Sequence, residues 1–133
     1  LWALSSQRQP ATTAEAIVSV VENALGSVPC AAVFVPTWTG TTARMISRFN
    51  PAVWVVAISQ SAAVCQGLAF SYGVQAVQLA EDPEDWRAFA RQWLREHRLP
   101  GAVAMLVAGP SRRHPEANYR IEFLRVNDAP QPA

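Results

Sequence analysis

Apolar residues along this chain fall into two patterns, short unbroken runs and longer stretches at helical spacing. The runs at 31–36, 54–58 and 102–108 are rich in Val, Ile and Ala and hold almost no polar position. They predict strands buried on both faces of a parallel sheet, and 74–79 reads as a further strand of it. Between them the spacing changes. Ile17, Val20, Val21, Ala24 and Leu25 recur as on one helix face, behind a capping box with Thr12 as cap and Glu15 reaching back, and Gly26 marks the expected end. A second helix is expected over 43–49, stopped by Asn50-Pro51. A third is expected over 62–71, capped by Ser59 or Ser61 and closed by Tyr72-Gly73.

Asp82-Pro83-Glu84-Asp85 predicts a fourth start, with Asp82 as cap and Pro83 at the first helical position. That helix carries Trp86, Phe89, Ala90, Trp93 and Leu94 on one stripe. The opposite stripe of Arg87, Arg91, Arg95 and Arg98 reads as a solvated face. Leu99-Pro100-Gly101 ends it. The last strand, 119–126, alternates Tyr119, Ile121 and Phe123 against Arg120 and Glu122, the mark of a half-wet edge. Residues 109–118 are too few for a parallel crossover, so this strand is expected to run antiparallel. The order helix, β-α-β-α-β-α-β-β predicts an α/β fold, a three-layer α/β/α sandwich around a five-stranded, mostly parallel sheet. Residues 1–11 read as a lead-in or linker, 12–127 as one domain and 128–133 as a tail.

Composition narrows the function. The chain has 133 residues, half of them apolar, and a formal net charge of +1. That size and apolar content suffice for one core, and the charge points to neither nucleic acid nor an anionic membrane as partner. All eleven cations are arginine. Without lysine there is no Schiff-base chemistry and no P-loop lysine, so any anion must be held by guanidinium forks, hydroxyls or backbone N–H groups. Cys30 and Cys65 sit in apolar stretches without metal spacing and read as buried, reduced thiols. No signal peptide or membrane-length apolar run is visible, which makes a cytoplasmic location the expectation. Beginning with Leu1, the chain reads as a piece of something longer.

Ligands of parallel α/β sheets sit beyond the carboxyl ends of the strands. There, Thr37, Thr39, Thr41 and Thr42 surround Gly40 just before a helix, with Trp38 inside the turn. Free N–H groups and the helix dipole attract an anion, and the hydroxyls could hold a phosphate; the same residues also suit a Thr-capped helix end that binds water. Trp38 could stack on a ligand or fold onto the surface. Ser111-Arg112-Arg113-His114 forms a second polar loop on the same edge, suited to a second phosphate or to plain solvation. His97 sits near a helix end that favours a cation. No nucleophile–base order and no metal-ligand cluster emerges, so the sequence shows a binding turn without a reacting centre.

The run from Ala31 through Thr37-Trp38-Thr39-Gly40-Thr41-Thr42-Ala43 to Ser47-Arg48-Phe49-Asn50-Pro51 resembles the signature of the C-terminal domain of pyruvate kinases. Trp54 to Ser59, Gly73-Val74, Gly101, Gly109 and Asn118-Tyr119 follow in the family's order. The resemblance implies the same fold and an allosteric domain without catalytic residues, whose parent enzyme transfers phosphate from phosphoenolpyruvate to ADP. Magnesium and potassium would then belong to the parent's barrel domain, with no cofactor here. The implied partners are a phosphorylated effector, a sugar phosphate or a nucleotide, and further copies of the chain. One phosphate would sit in the turn 37–42, the other on Arg112 or Arg113 with Arg95 from the preceding helix. Trp38, Thr41 and Ala102 depart from the family's usual Lys, Arg or Lys, and Asp. The other reading is a stand-alone interaction or oligomerisation module of the same fold that has lost its effector.

Overall fold

The computed structural model describes residues 13–110 and 115–126. Five strands form one sheet, β1 (Ala32–Pro36), β2 (Trp54–Ser59), β3 (Val74–Gln78), β4 (Val103–Ala108) and β5 (Arg120–Arg125), in the order β3-β2-β1-β4-β5. Strands β1 to β4 are parallel, with Phe34 level with Val56 and Leu106. Strand β5 runs antiparallel to β4 in the register Met105↔Phe123. The short connection 109–119 accounts for that reversal, since it leaves no room for a covering helix.

Four helices cover the sheet: α1 (Thr13–Ser27), α2 (Thr41–Arg48), α3 (Ala62–Leu68) and α4 (Trp86–Glu96). Side chains alternate along each strand, so each apolar run feeds two cores. Val33, Val35, Val55, Ala57, Met105 and Val107 pack with Val21 of α1, Ala43 and Ile46 of α2 and Leu68 of α3. On the other face Ala32, Phe34, Val56, Ile58, Ala104 and Leu106 pack with Ala90, Trp93 and Leu94 of α4. Burial on both faces is why β1, β2 and β4 are apolar but for Ser59, whereas β3, at the sheet edge, carries exposed Gln75 and Gln78.

Several boundaries differ from expectation. The Thr12 cap lies outside the described residues, and α1 runs through Gly26 to Ser27, with Gly26 in no left-handed cap. Thr41 and Thr42 belong to α2 itself. Helix α3 ends at Leu68, and the expected last turn is a loop closed by Gly73 at φ 72°. Its cap is Ser61, whose Oγ accepts the Val64 N–H at 3.2 Å. Helix α4 starts at Asp85 rather than Asp82: the Asp85 carboxylate accepts the Ala88 N–H at 3.1 Å. Both acids satisfy a cap locally; starting at Asp85 makes Trp86 the first helical residue.

The arginine stripe of α4 is not simply solvated. Arg87 donates through Nε to the Arg125 carbonyl at 2.6 Å, and Arg91 to the Val126 carbonyl at 3.2 Å. These two guanidiniums strap the end of β5 to the helix. The predicted wet edge holds, with Arg120 and Glu122 exposed, yet Phe123 on the other face is itself half-exposed.

Candidate functional site

The strand order reverses between β1 and β4. In an open α/β sheet a crevice forms at that point, beyond the carboxyl ends of the two strands. The turn 37–42 leaves β1 there, and the connection 109–119 leaves β4 beside it. The architecture therefore places the Thr-rich turn where such folds leave room for a ligand.

The turn is ordered by its own hydroxyls. Thr37 continues the β1–β2 ladder through its N–H to the Ile58 carbonyl at 2.8 Å. Its Oγ1 then accepts the Gly40 N–H at 2.8 Å. The Thr39 and Thr41 hydroxyls lie 2.9 Å apart and share a hydrogen bond, and Thr39 Oγ1 also accepts the Thr41 N–H at 3.4 Å. Gly40 is the N-cap of α2 at φ 87°, a left-handed conformation that favours glycine. It contributes no capping side chain, so the positive end of α2 keeps its attraction for an anion. Thr39 and Thr41 are exposed, Thr42 is half-buried in the first turn, and Trp38 stands about half-exposed beside them.

Sequence reasoning missed Arg44. Its Nη1 donates to the Thr39 carbonyl at 3.1 Å, and its guanidinium lies over Gly40, where an added Cβ would meet Nη1 at 3.1 Å. The signal was available, because helical side chains lean toward the N-terminus and Arg44 lies four residues beyond Gly40. A cation over the positive end of a helix is electrostatically unfavourable alone. It becomes favourable once an anion sits between the two.

Arg95 does not join this site. It lies with Arg98, Leu99 and Gly101 beside Val126, where α4 leads into the start of β4. That is the amino end of the sheet, opposite to the turn. Arg112 and Arg113 lie outside the described residues. His97 is the C-cap of α4, stacked on Trp93 with ring centroids 3.9 Å apart. Burial pushes the Cys30 thiol up from its ordinary value, which disfavours the reactive thiolate. Among the described residues no three His, Cys, Asp or Glu stand where they could share a metal ion, and no helix is long and apolar enough to cross a membrane.

Fold and site together define an α/β domain with a Thr-rich turn at its switch point. The chain belongs to the family described as "Pyruvate kinase, alpha/beta domain", whose model matches residues 15–119. A pyruvate kinase of Thermococcus litoralis is 45% identical over 71 residues, which are 53% of this chain and 15% of that protein. Among solved structures, a Cryptosporidium parvum pyruvate kinase in complex with ADP superposes with a TM-score of 0.78 at 24% identity, over 92% of this chain and 25% of that one. A second structure from Cryptosporidium parvum gives 0.73 at 23% identity, over 92% and 24%. The chain thus spans about a quarter or less of the relatives it matches. The family is that of the α/β domain, not of the catalytic barrel.

Proposed function

We propose that this chain is the regulatory domain of a pyruvate kinase: it binds a phosphorylated effector at the turn 37–42 and meets another copy of the chain through β5. The observation that carries the reading is the Arg44 guanidinium over Gly40, facing the positive end of α2 amid the Thr37, Thr39 and Thr41 hydroxyls. Such a cluster gains stability from a phosphate, which accepts from guanidinium, hydroxyl and backbone N–H at once. Arg112 and Arg113, on the neighbouring loop, are the candidates for a second phosphate. The parent enzyme would transfer phosphate from phosphoenolpyruvate to ADP in its barrel domain, and effector binding would shift the balance between subunit arrangements.

Calorimetric titration tests the binding. One of fructose 1,6-bisphosphate, ribose 5-phosphate, glucose 6-phosphate and AMP is expected to bind saturably. Thr39→Ala or Thr42→Ala should abolish the heat, and Arg44→Gln should weaken binding about ten-fold or more, as loss of a charged hydrogen bond does. Silence from all four ligands with folded protein would leave the turn a helix cap and favour an interaction module.

The subunit contact rests on β5 as a sheet edge with Phe123 half-exposed on it. Sedimentation at rising concentration is expected to show a dimer that Phe123→Lys disperses. A strict monomer at every concentration would remove this part of the proposal.

A further inference from the structure

Strand β5 is a sheet edge only part of which is free. The Val126 N–H bonds the Ala102 carbonyl at 2.9 Å. In an antiparallel ladder, pairs that exchange hydrogen bonds alternate with pairs that do not. In the register Val103↔Arg125, residues 120, 122 and 124 therefore turn their N–H and C=O groups to β4, and 121, 123 and 125 turn theirs outward. One end of that outward side is taken, because Arg87 Nε donates to the Arg125 carbonyl at 2.6 Å. The stretch 119–123 is left for a further strand.

Its side chains divide between the two faces of the sheet. On one, Ile121 packs against the core under α1 and α2, Phe123 is half-exposed, and the Tyr119 ring lies over Gly109. On the other, Arg120 and Glu122 keep side-chain exposures of 51% and 48%, with Nε and Oε2 3.8 Å apart. So exposed a pair adds little to the single chain. Its two charges do, however, constrain what can lie beside the strand.

A second copy related by a two-fold axis normal to the sheet would add its β5 antiparallel, with like faces together. The registers then differ only in which residue sits on the axis. With Arg120 or Glu122 there, a residue meets its own charge directly opposite, which is destabilising. With Phe123 or a later residue there, the new ladder needs the Arg125 carbonyl that Arg87 holds. With Ile121 there, Arg120 faces Glu122 of the copy and Glu122 faces its Arg120. Phe123 and Tyr119 also meet twice, and the ladder ends before Arg125. Opposite charges and aromatic pairs across strands both stabilise.

We propose that the chain recognises a second copy of itself by pairing β5 with β5 about Ile121, Arg120 and Glu122 forming the charge code that fixes this register. The proposal rests on β5 being the subunit contact and adds to it which residues meet.

Sedimentation equilibrium of the whole chain at fixed salt tests it by charge exchange. Arg120→Glu and Glu122→Arg should each weaken self-association about ten-fold or more, since two attractive pairs become repulsive. An equimolar mixture of the two variants should associate at least as well as the unsubstituted chain, each supplying the charge the other lacks. Both changes in one chain, Arg120→Glu with Glu122→Arg, should restore self-association. Variants that dimerise like the unsubstituted chain, or that gain nothing on mixing and nothing when combined, would overturn the register while leaving the β5 contact standing. An unsubstituted chain that stays monomeric would remove the contact and the register together.

Discussion

Phe34→Ala is expected to cost about 3–5 kcal/mol, as truncation of a buried aromatic does, out of the roughly 5–15 kcal/mol that holds a typical domain together. Phe34 is fully buried in the central strand. Its ring meets Phe89 edge-on at 5.9 Å and 79°, and Trp93 at 5.6 Å and 89°. Both partners come from α4, so one side chain joins the helix to the sheet. Truncation forfeits the transfer energy, leaves a cavity between rigid neighbours, and loses two edge-to-face pairs worth about 0.5–1.5 kcal/mol each. The urea midpoint should fall with little change in slope. Phe34→Leu, which keeps most of the volume, should cost clearly less. A loss under about 1 kcal/mol for Phe34→Ala would show that α4 is not anchored through this ring.

The same packing explains which parts of the molecule were legible in the sequence. Strands buried on both faces must be apolar, so β1, β2 and β4 announced themselves as runs, whereas β3, at the sheet edge, carries exposed Gln75 and Gln78. The antiparallel turn of β5 followed from a connection too short for a crossover. The start of α4 did not follow, because Asp82 and Asp85 satisfy the same local capping rule and nothing local favours the later one. The roles of Arg87 and Arg91 were illegible for a related reason. Their acceptors, the carbonyls of Arg125 and Val126, lie 38 and 35 residues away, and backbone carbonyls leave no mark in a sequence. At the candidate site the threonines and Gly40 could be read as a turn before a helix. Arg44 was overlooked although the lean of helical side chains pointed to it. Arg95 was assigned through the family resemblance, when topology alone sends the end of α4 to the amino edge of the sheet.

Gly101→Ala should be the most damaging single-methyl addition. Gly101 sits at φ 149°, where L side chains rarely go, and an added Cβ would lie 2.6 Å from the Cβ of Ala31. Ala31 has little freedom to retreat, because its N–H donates to the Val103 carbonyl at 2.8 Å and ties the start of β1 to β4. Backbone strain of about 1–3 kcal/mol therefore adds to an overpacking cost of about 1–3 kcal/mol. Gly26→Ala is the matched control. It lies within α1, and an added Cβ meets nothing within 4 Å, so it should stabilise by about 0.4–1 kcal/mol. Opposite signs for the two substitutions are expected in denaturant titration. Equal, small effects would mean that the approach of Gly101 to Ala31 is not tight. Hydrogen exchange locates the damage: the Ala31 and Val126 N–H groups, which bond Val103 and Ala102 across the starts of the strands, should lose protection first. The Thr37 N–H, bonded to Ile58 at the far end of the sheet, should keep its protection longer. The loop that joins α4 to β4 would then loosen while the turn 37–42 stayed formed, since the two lie at opposite ends of the same strands.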